Sequence, residues 1–255
     1  ISDQRPINNL IDLTNELTLL YGLPTHIFDL DKLAIQSLTI REAKNGEKIT
    51  TLDNQSHDLV IGDIIIEDGD HRIVDLCGIM GGQVAQVDEH TKNILFIAPI
   101  YNPINIRHTS LRLQKRTLAA QIYEKSPDEA LPPYIISIAS DLILSRTGGT
   151  LSSKVFDYYP QPLIKMPIEL DLNWLEKFSG VQIKNDNILT ILTNLGFQQT
   201  SVKKQILTTT PPSFRTKDIT IPEDLAEEII RVYGYYQIPG TLPLITTAPE
   251  KPEPL

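Results

Sequence analysis

Cysteine is almost missing from this 255-residue chain. Cys77 stands alone, so no disulfide can form within it, and a reducing, cytoplasmic setting is the expectation. No run of about 18 apolar residues occurs, which excludes an ordinary membrane-spanning helix. Surplus positive charge is missing too. The formal net charge of −9 opposes nonspecific adhesion to nucleic acid, so any RNA contact has to be a local basic patch. His57, His71, His90 and His108 are scattered without metal-ligand spacing. Gly78-x-x-Gly81-Gly82 lacks the Lys-Ser/Thr that completes a phosphate-cradling loop, and no dinucleotide fingerprint appears. The start, Ile1 to Pro6, has neither an initiator Met nor the apolar core of a signal peptide, and reads as a cut inside a longer chain.

What is present is an ordinary globular composition, 41% hydrophobic and 22% charged. Apolar residues at helical spacing predict a helix over Asn9 to Tyr21, stopped by Gly22 and Pro24. Leu38 to Arg41, Leu59 to Ile66, Arg72 to Leu76 and Asn93 to Ile100 read as strands. Asn45-Gly46 and Asp53-Asn54 are turn signals. A helix is expected to begin near Pro103 and another to cover Pro132 to Ser145, closing at Gly148-Gly149. Beyond a Ser-, Tyr- and Pro-rich stretch the pattern restarts. Ile168 to Leu170 reads as a strand, with Asp171 or Asn173 capping a helix. Ile188 to Leu195 carries a further apolar stripe, Ile206 to Thr210 is strand-like, and a last helix opens at Pro222. The expected fold class is α+β. A larger mixed domain over 1–150 is joined by a linker, 151–162, to a small domain over 163–239, with 240–255 as an extension. Trp174, Phe178, Leu192 and Phe197 are the expected core of the small domain. Cys77, beside apolar neighbours, reads as buried filler.

Five ordered blocks then carry a resemblance. Arg5-Pro6-Ile7-Asn8-Asn9-Leu10-Ile11-Asp12-Leu13-Thr14-Asn15, Gly22-Leu23-Pro24-Thr25-His26-Ile27-Phe28-Asp29 and Cys77-Gly78-Ile79-Met80-Gly81-Gly82 resemble the editing module of bacterial-type phenylalanyl-tRNA synthetase beta subunits. Pro211-Pro212-Ser213-Phe214-Arg215, and Glu223 to Ile229 followed by Arg231-Val232-Tyr233-Gly234-Tyr235, are similar to the family's next, winged-helix-like domain.

The resemblance implies hydrolysis of mischarged Tyr-tRNA(Phe), a second sieve where an apolar pocket rejects an extra hydroxyl by only about a hundredfold. It implies tRNA(Phe) and an alpha subunit as partners, in an assembly of two alpha and two beta chains. The ATP and Mg²⁺ of the ligase step belong to the whole enzyme, with no cofactor and no metal assigned to this piece. His26 matches the family's pocket histidine, expected to position or deprotonate a water near neutrality. Gly78 and Gly81 would let backbone approach the tRNA 3′ end and offer N–H donors; Thr117, a catalytic candidate beside His26, and Ala119, a substrate-binding one, match a pocket wall. Ile97 stands where the family has a Glu that recognises the tyrosine hydroxyl, and the stretch after Tyr123-Glu124-Lys125 departs from the family pattern. Both departures leave a second reading open, a structural and tRNA-positioning scaffold without editing. The basic run Arg107, His108, Arg112, Lys115 and Arg116 interrupts an acidic chain. Arg112 and Arg116, at helical spacing, would share a face and contact either tRNA phosphates or a neighbouring subunit; a solvated face with salt bridges is the alternative. A free-standing nucleic-acid module is the remaining reading, opposed by the net charge.

Overall fold

The computed structural model describes residues 6–34 and 37–240. Ile1 to Arg5 and most of the expected C-terminal extension lie outside the described residues. The chain divides between Pro160 and Gln161 into two compact units.

Unit 1 opens with α1 (Asn9–Tyr21). The Asn8 side chain accepts the N–H groups of Leu10 and Ile11, and Gly22 ends the helix in the left-handed region at φ 71°. Its face bearing Leu13 and Leu17 packs with Ala139 of α4 (Leu131–Thr147) in a small cluster of its own. β1 (His26–Asp29) pairs antiparallel with β8 (Ile94–Ile97) as a two-stranded ribbon. β2 (Thr39–Glu42), β5 (Ile64–Glu67), β6 (Ile73–Leu76) and β7 (Met80–Gly81) form an antiparallel sheet in that order. The hairpin of β3 (Lys48–Thr50) and β4 (Ser56–Asp58) joins it through a bridge from Thr51 to Gly82. Two helices follow, α2 (Pro103–Leu113) and α3 (Leu118–Tyr123). The main core runs through Phe28, Leu59, Ile65, Val74, Leu76, Ile106 and Ile135.

Two expectations are corrected here. The strand predicted over Leu59 to Ile66 begins only at Ile64. Asp63 accepts the Val60 N–H at 2.9 Å and Gly62 sits at φ 98°, so turn chemistry overrides an apolar run. The strand predicted over Asn93 to Ile100 stops at Ile97, ahead of Pro99, which has no N–H for a ladder.

Thr147 and Ile168 are the nearest ends of regular structure on either side of the boundary between the units. Unit 2 holds β9 (Ile168–Asp171), α5 (Leu172–Ser179), α6 (Asn185–Asn194), β10 (Gln198–Lys203), β11 (Ile206–Thr210) and α7 (Pro222–Tyr233). Its sheet is antiparallel in the order β10-β11-β9. Asp171 is the cap of α5, accepting the Asn173 N–H at 2.8 Å. Asp224 caps α7 by accepting the Ile221 N–H at 3.1 Å. The core is built on Leu170, Leu175, Ile188, Leu192, Phe197, Leu207 and Ile229. Phe178 is not part of it. One helical turn beyond Trp174, it stacks on that indole at 4.8 Å on the outer side of α5 and stays 62% exposed. The described fold is α+β with antiparallel sheets, and no described helix is long and apolar enough to cross a membrane.

Candidate functional site

His26 opens β1, directly across the ribbon from Ile97, so the two side chains share a face. The imidazole lies edge-on to Phe28 at 4.5 Å and against Gly81 of β7. A Cβ built on Gly81 would stand 2.8 Å from His26 Cε1, 3.1 Å from Nε2 and 3.2 Å from Leu52 Cδ1. The missing side chain at position 81 is what lets the ring rest on the turn. That turn, Cys77 to Gly82, is a tight hairpin. Gly78 takes φ 68°, and a Cβ there would press on Ile106 at 2.9 Å and Tyr123 at 3.1 Å. From the other side Thr117, the N-cap of α3, donates its hydroxyl to the Ile79 carbonyl at 3.0 Å and accepts the Ala120 N–H at 3.1 Å. Ala119 is half-buried on the same helix, packed against the core.

His26, Ile97, Gly78, Gly81 and Thr117 are therefore gathered around one turn, although they come from four segments of the chain. The N–H groups beside the expected donors, Gly78 and Gly81, are committed within the fold. Cys77, Ile79 and Gly82 donate to the carbonyls of Ile64, Leu76 and Val74.

Charge at the site departs from expectation. Burial pushes the His26 pKa down to about 4, so the ring is neutral at physiological pH and does not titrate near neutrality. Beneath the turn lies a polar cluster of Asp75, Cys77, Tyr101 and Tyr123, all buried. Burial pushes the Asp75 carboxyl up to about 7 and raises the Cys77 thiol and both phenols well above their ordinary range. The Tyr123 hydroxyl sits 2.8 Å from the Pro24 carbonyl and 3.1 Å from that of Pro99, tying together the segments that flank His26 and Ile97. Tyr101 meets Tyr123 edge-on at 5.0 Å. Asp75 was not anticipated. Its signal in the sequence is an acid set between Val74 and Leu76 in an otherwise apolar strand.

The basic run behaves differently from the prediction. α2 ends at Leu113, and Gln114 turns left-handed at φ 53°, so Arg112 and Arg116 do not share a helical face. Arg112 pairs with the buried Asp63 carboxylate and donates to the Asp58 carbonyl at 3.1 Å. Lys115 pairs with Asp53. Arg116 stands 74% exposed, 3.7 Å from Glu124, and Arg107 and His108 face solvent. Among the described residues no group of three or more His, Cys, Asp or Glu can hold a metal ion.

Residues 2–148 match the family described as the B3/4 domain, more than half of the sequence. The chain belongs to the B3/4 domain family. This B3/4 chain also matches the tRNA synthetase B5 domain over residues 168–235. The phenylalanine–tRNA ligase beta subunit of Carboxydothermus hydrogenoformans is 39% identical over 251 residues, which are 98% of this chain and 31% of that protein. The corresponding subunit of Staphylococcus aureus strain MRSA252 is 38% identical over 240 residues, 94% of this chain and 30% of that protein. The chain thus spans about three tenths of the length of these curated relatives. An N-terminal fragment of the phenylalanyl-tRNA synthetase beta subunit from Pyrococcus horikoshii aligns with a TM-score of 0.45 at 17% identity, covering 89% of this chain and 65% of that one.

Proposed function

We propose that the chain is the proofreading region of a phenylalanine–tRNA ligase beta subunit. In the assembled enzyme it acts with an alpha subunit and tRNA(Phe) in making Phe-tRNA(Phe), and its B3/4 domain hydrolyses mischarged Tyr-tRNA(Phe). The ATP- and Mg²⁺-dependent joining step belongs to the alpha subunit. The observation that carries the proofreading reading is the contact of the His26 ring with Gly81, a bare glycine on a turn that Thr117 holds from its other side. A neutral imidazole can orient a water against an ester carbonyl, and the side-chain-free turn admits a ribose-linked ester closely. Thr117 and Ala119 serve as the pocket wall. Arg116, the more exposed of the two predicted arginines, is the better placed for a tRNA phosphate, while Arg112 holds the fold.

The test is release of tyrosine from Tyr-tRNA(Phe), with Phe-tRNA(Phe) as control. Release that falls at least about a hundredfold in His26→Ala, with the fold intact, supports the reading; release unchanged in that variant refutes it. One observation favours a second reading. Ile97, opposite His26, offers no acceptor to a tyrosine hydroxyl, and a buried hydroxyl without a partner costs about 1–3 kcal/mol. A scaffold that binds tRNA(Phe) but releases no tyrosine would match that residue.

A further inference from the structure

We propose that Leu52, at the tip of the β3–β4 hairpin, is a positioning residue that holds the His26 imidazole in place over Gly81 and keeps open solvent off it. The proposal rests on the proofreading reading above. His26 and Leu52 both crowd the space that a Cβ on Gly81 would fill. His26 comes to it with Cε1 at 2.8 Å, and Leu52 with Cδ1 at 3.2 Å. The leucine methyl and the ring edge therefore flank one point, over a floor of bare backbone. The imidazole also meets Phe28 edge-on at 4.5 Å. Phe28 is 1% exposed and belongs to the main core, whereas Leu52 is 37% exposed. Of these two neighbours, Leu52 is the one that borders solvent, and it can be trimmed with little loss of core.

Several ties fix the hairpin tip over the glycine turn. Leu52 donates its N–H to the Gly81 carbonyl at 3.0 Å, and Thr51 bridges to Gly82. The Gln83 amide donates to Asn54 Oδ1, and Lys115 pairs with Asp53. The Lys115 ammonium holds the Asp53 carboxyl down to about 2, so that tie stays charged throughout the neutral range. Asp53 in turn accepts the Thr51 hydroxyl at 2.6 Å. Lys115 is itself pinned by Ser110, donating its N–H to that carbonyl at 2.9 Å and accepting the Ser110 hydroxyl at 2.7 Å. Shortly after it, Thr117 holds the Ile79 carbonyl. One segment behind α2 therefore fixes both the turn beneath the ring and the hairpin beside it. Burial alone depresses the His26 pKa, with no charged neighbour contributing. What packs around the ring sets its state, and a packed ring presents its nitrogens in one orientation.

The experiment is NMR of the His26 ring in the 255-residue chain, with tyrosine release measured alongside. In the parent, a nuclear Overhauser effect is expected between the Leu52 methyls and His26 Hε1; its absence would overturn the proposal even if every variant failed to fold. Leu52→Ala should move the His26 titration midpoint up from about 4 by roughly one unit. Lys115→Gln should move it the same way by less, and Leu52→Met, which refills the space, should return it to the parent value. Tyrosine release from Tyr-tRNA(Phe) should fall about tenfold in kcat in Leu52→Ala, with KM little changed, and recover in Leu52→Met. A midpoint unchanged in a folded Leu52→Ala would sink the proposal even if release fell. If the midpoint shifts as expected while the parent releases no tyrosine, the positioning stands and the proofreading reading falls.

Discussion

One methyl group at Gly81 would collide with the imidazole at 2.8 Å, whereas the neighbouring glycine fails for a different reason. Gly78 combines φ 68° with a Cβ position 2.9 Å from Ile106. Gly78→Ala should therefore lose about 1–3 kcal/mol of stability in urea unfolding. Gly81→Ala should cost less stability, because a ring can rotate where core cannot, but should abolish tyrosine release along with the His26 position. Equal stability losses in the two variants would contradict this division. The His26 pKa is depressed from 6.5 to about 4. A depressed pKa means the unfolded chain takes up the proton first, so stability present above about 6.5 is lost as pH falls through about 4, by at most ~3 kcal/mol for a half-buried ring. Asp75 acts in the opposite sense. Its raised pKa means stability present below the ordinary carboxylate range is lost as pH rises through about 7. His26→Gln should flatten the acid fall and Asp75→Asn the neutral one, read as unfolding midpoints across pH. The motif around His26 and the glycines was legible in the chain. The depth of His26 was not, because β8 and the β7 turn, more distant in sequence, bury it. Asp75 escaped notice because a single acid in a strand ordinarily faces water.

At the scale of elements, Thr117 joins the start of α3 to the glycine turn through one hydroxyl that both donates and accepts. Thr117→Ala should lower stability by about 1–2 kcal/mol and Thr117→Ser by less than half of that, since serine keeps both bonds; thermal unfolding compares them. Arg112 ties the last turn of α2 to Asp63, whose carboxylate is only 3% exposed and also accepts the Thr109 hydroxyl at 2.7 Å. Arg112→Ala should cost about 2–4 kcal/mol, Arg116→Ala no more than about 0.5 kcal/mol. A loss of tRNA affinity in Arg116→Ala without loss of stability would separate binding from folding. α1 and α7 were readable because apolar period, caps and breakers agree at each, α4 because a long apolar run ends at Gly148, and β9 because its apolar residues alternate. α3 went unseen because six residues hold too little periodicity. Arg112 and Arg116 were misassigned to one face because spacing alone does not reveal that Gln114 ends α2.

At the scale of the molecule, each unit has its own core, and the segment between α4 and β9 exposes Phe156 and Tyr158, both at 87%. Limited chymotrypsin digestion should cut there first and leave a soluble fragment beginning near Gln161 with a cooperative unfolding transition; cleavage first within β9–α7 would contradict an independent second core. With a net charge of −9, tRNA binding should depend on few cations and show a shallow salt slope. The measurement that bears most directly on the whole account is the rate of tyrosine release from Tyr-tRNA(Phe) by the parent and by His26→Ala, Gly81→Ala and Ile97→Glu. The expected result is release in the parent, its loss in the first two, and a tyrosine-over-phenylalanine preference that rises about tenfold in Ile97→Glu as the hydroxyl regains an acceptor. Parent release indistinguishable from that of His26→Ala would contradict it.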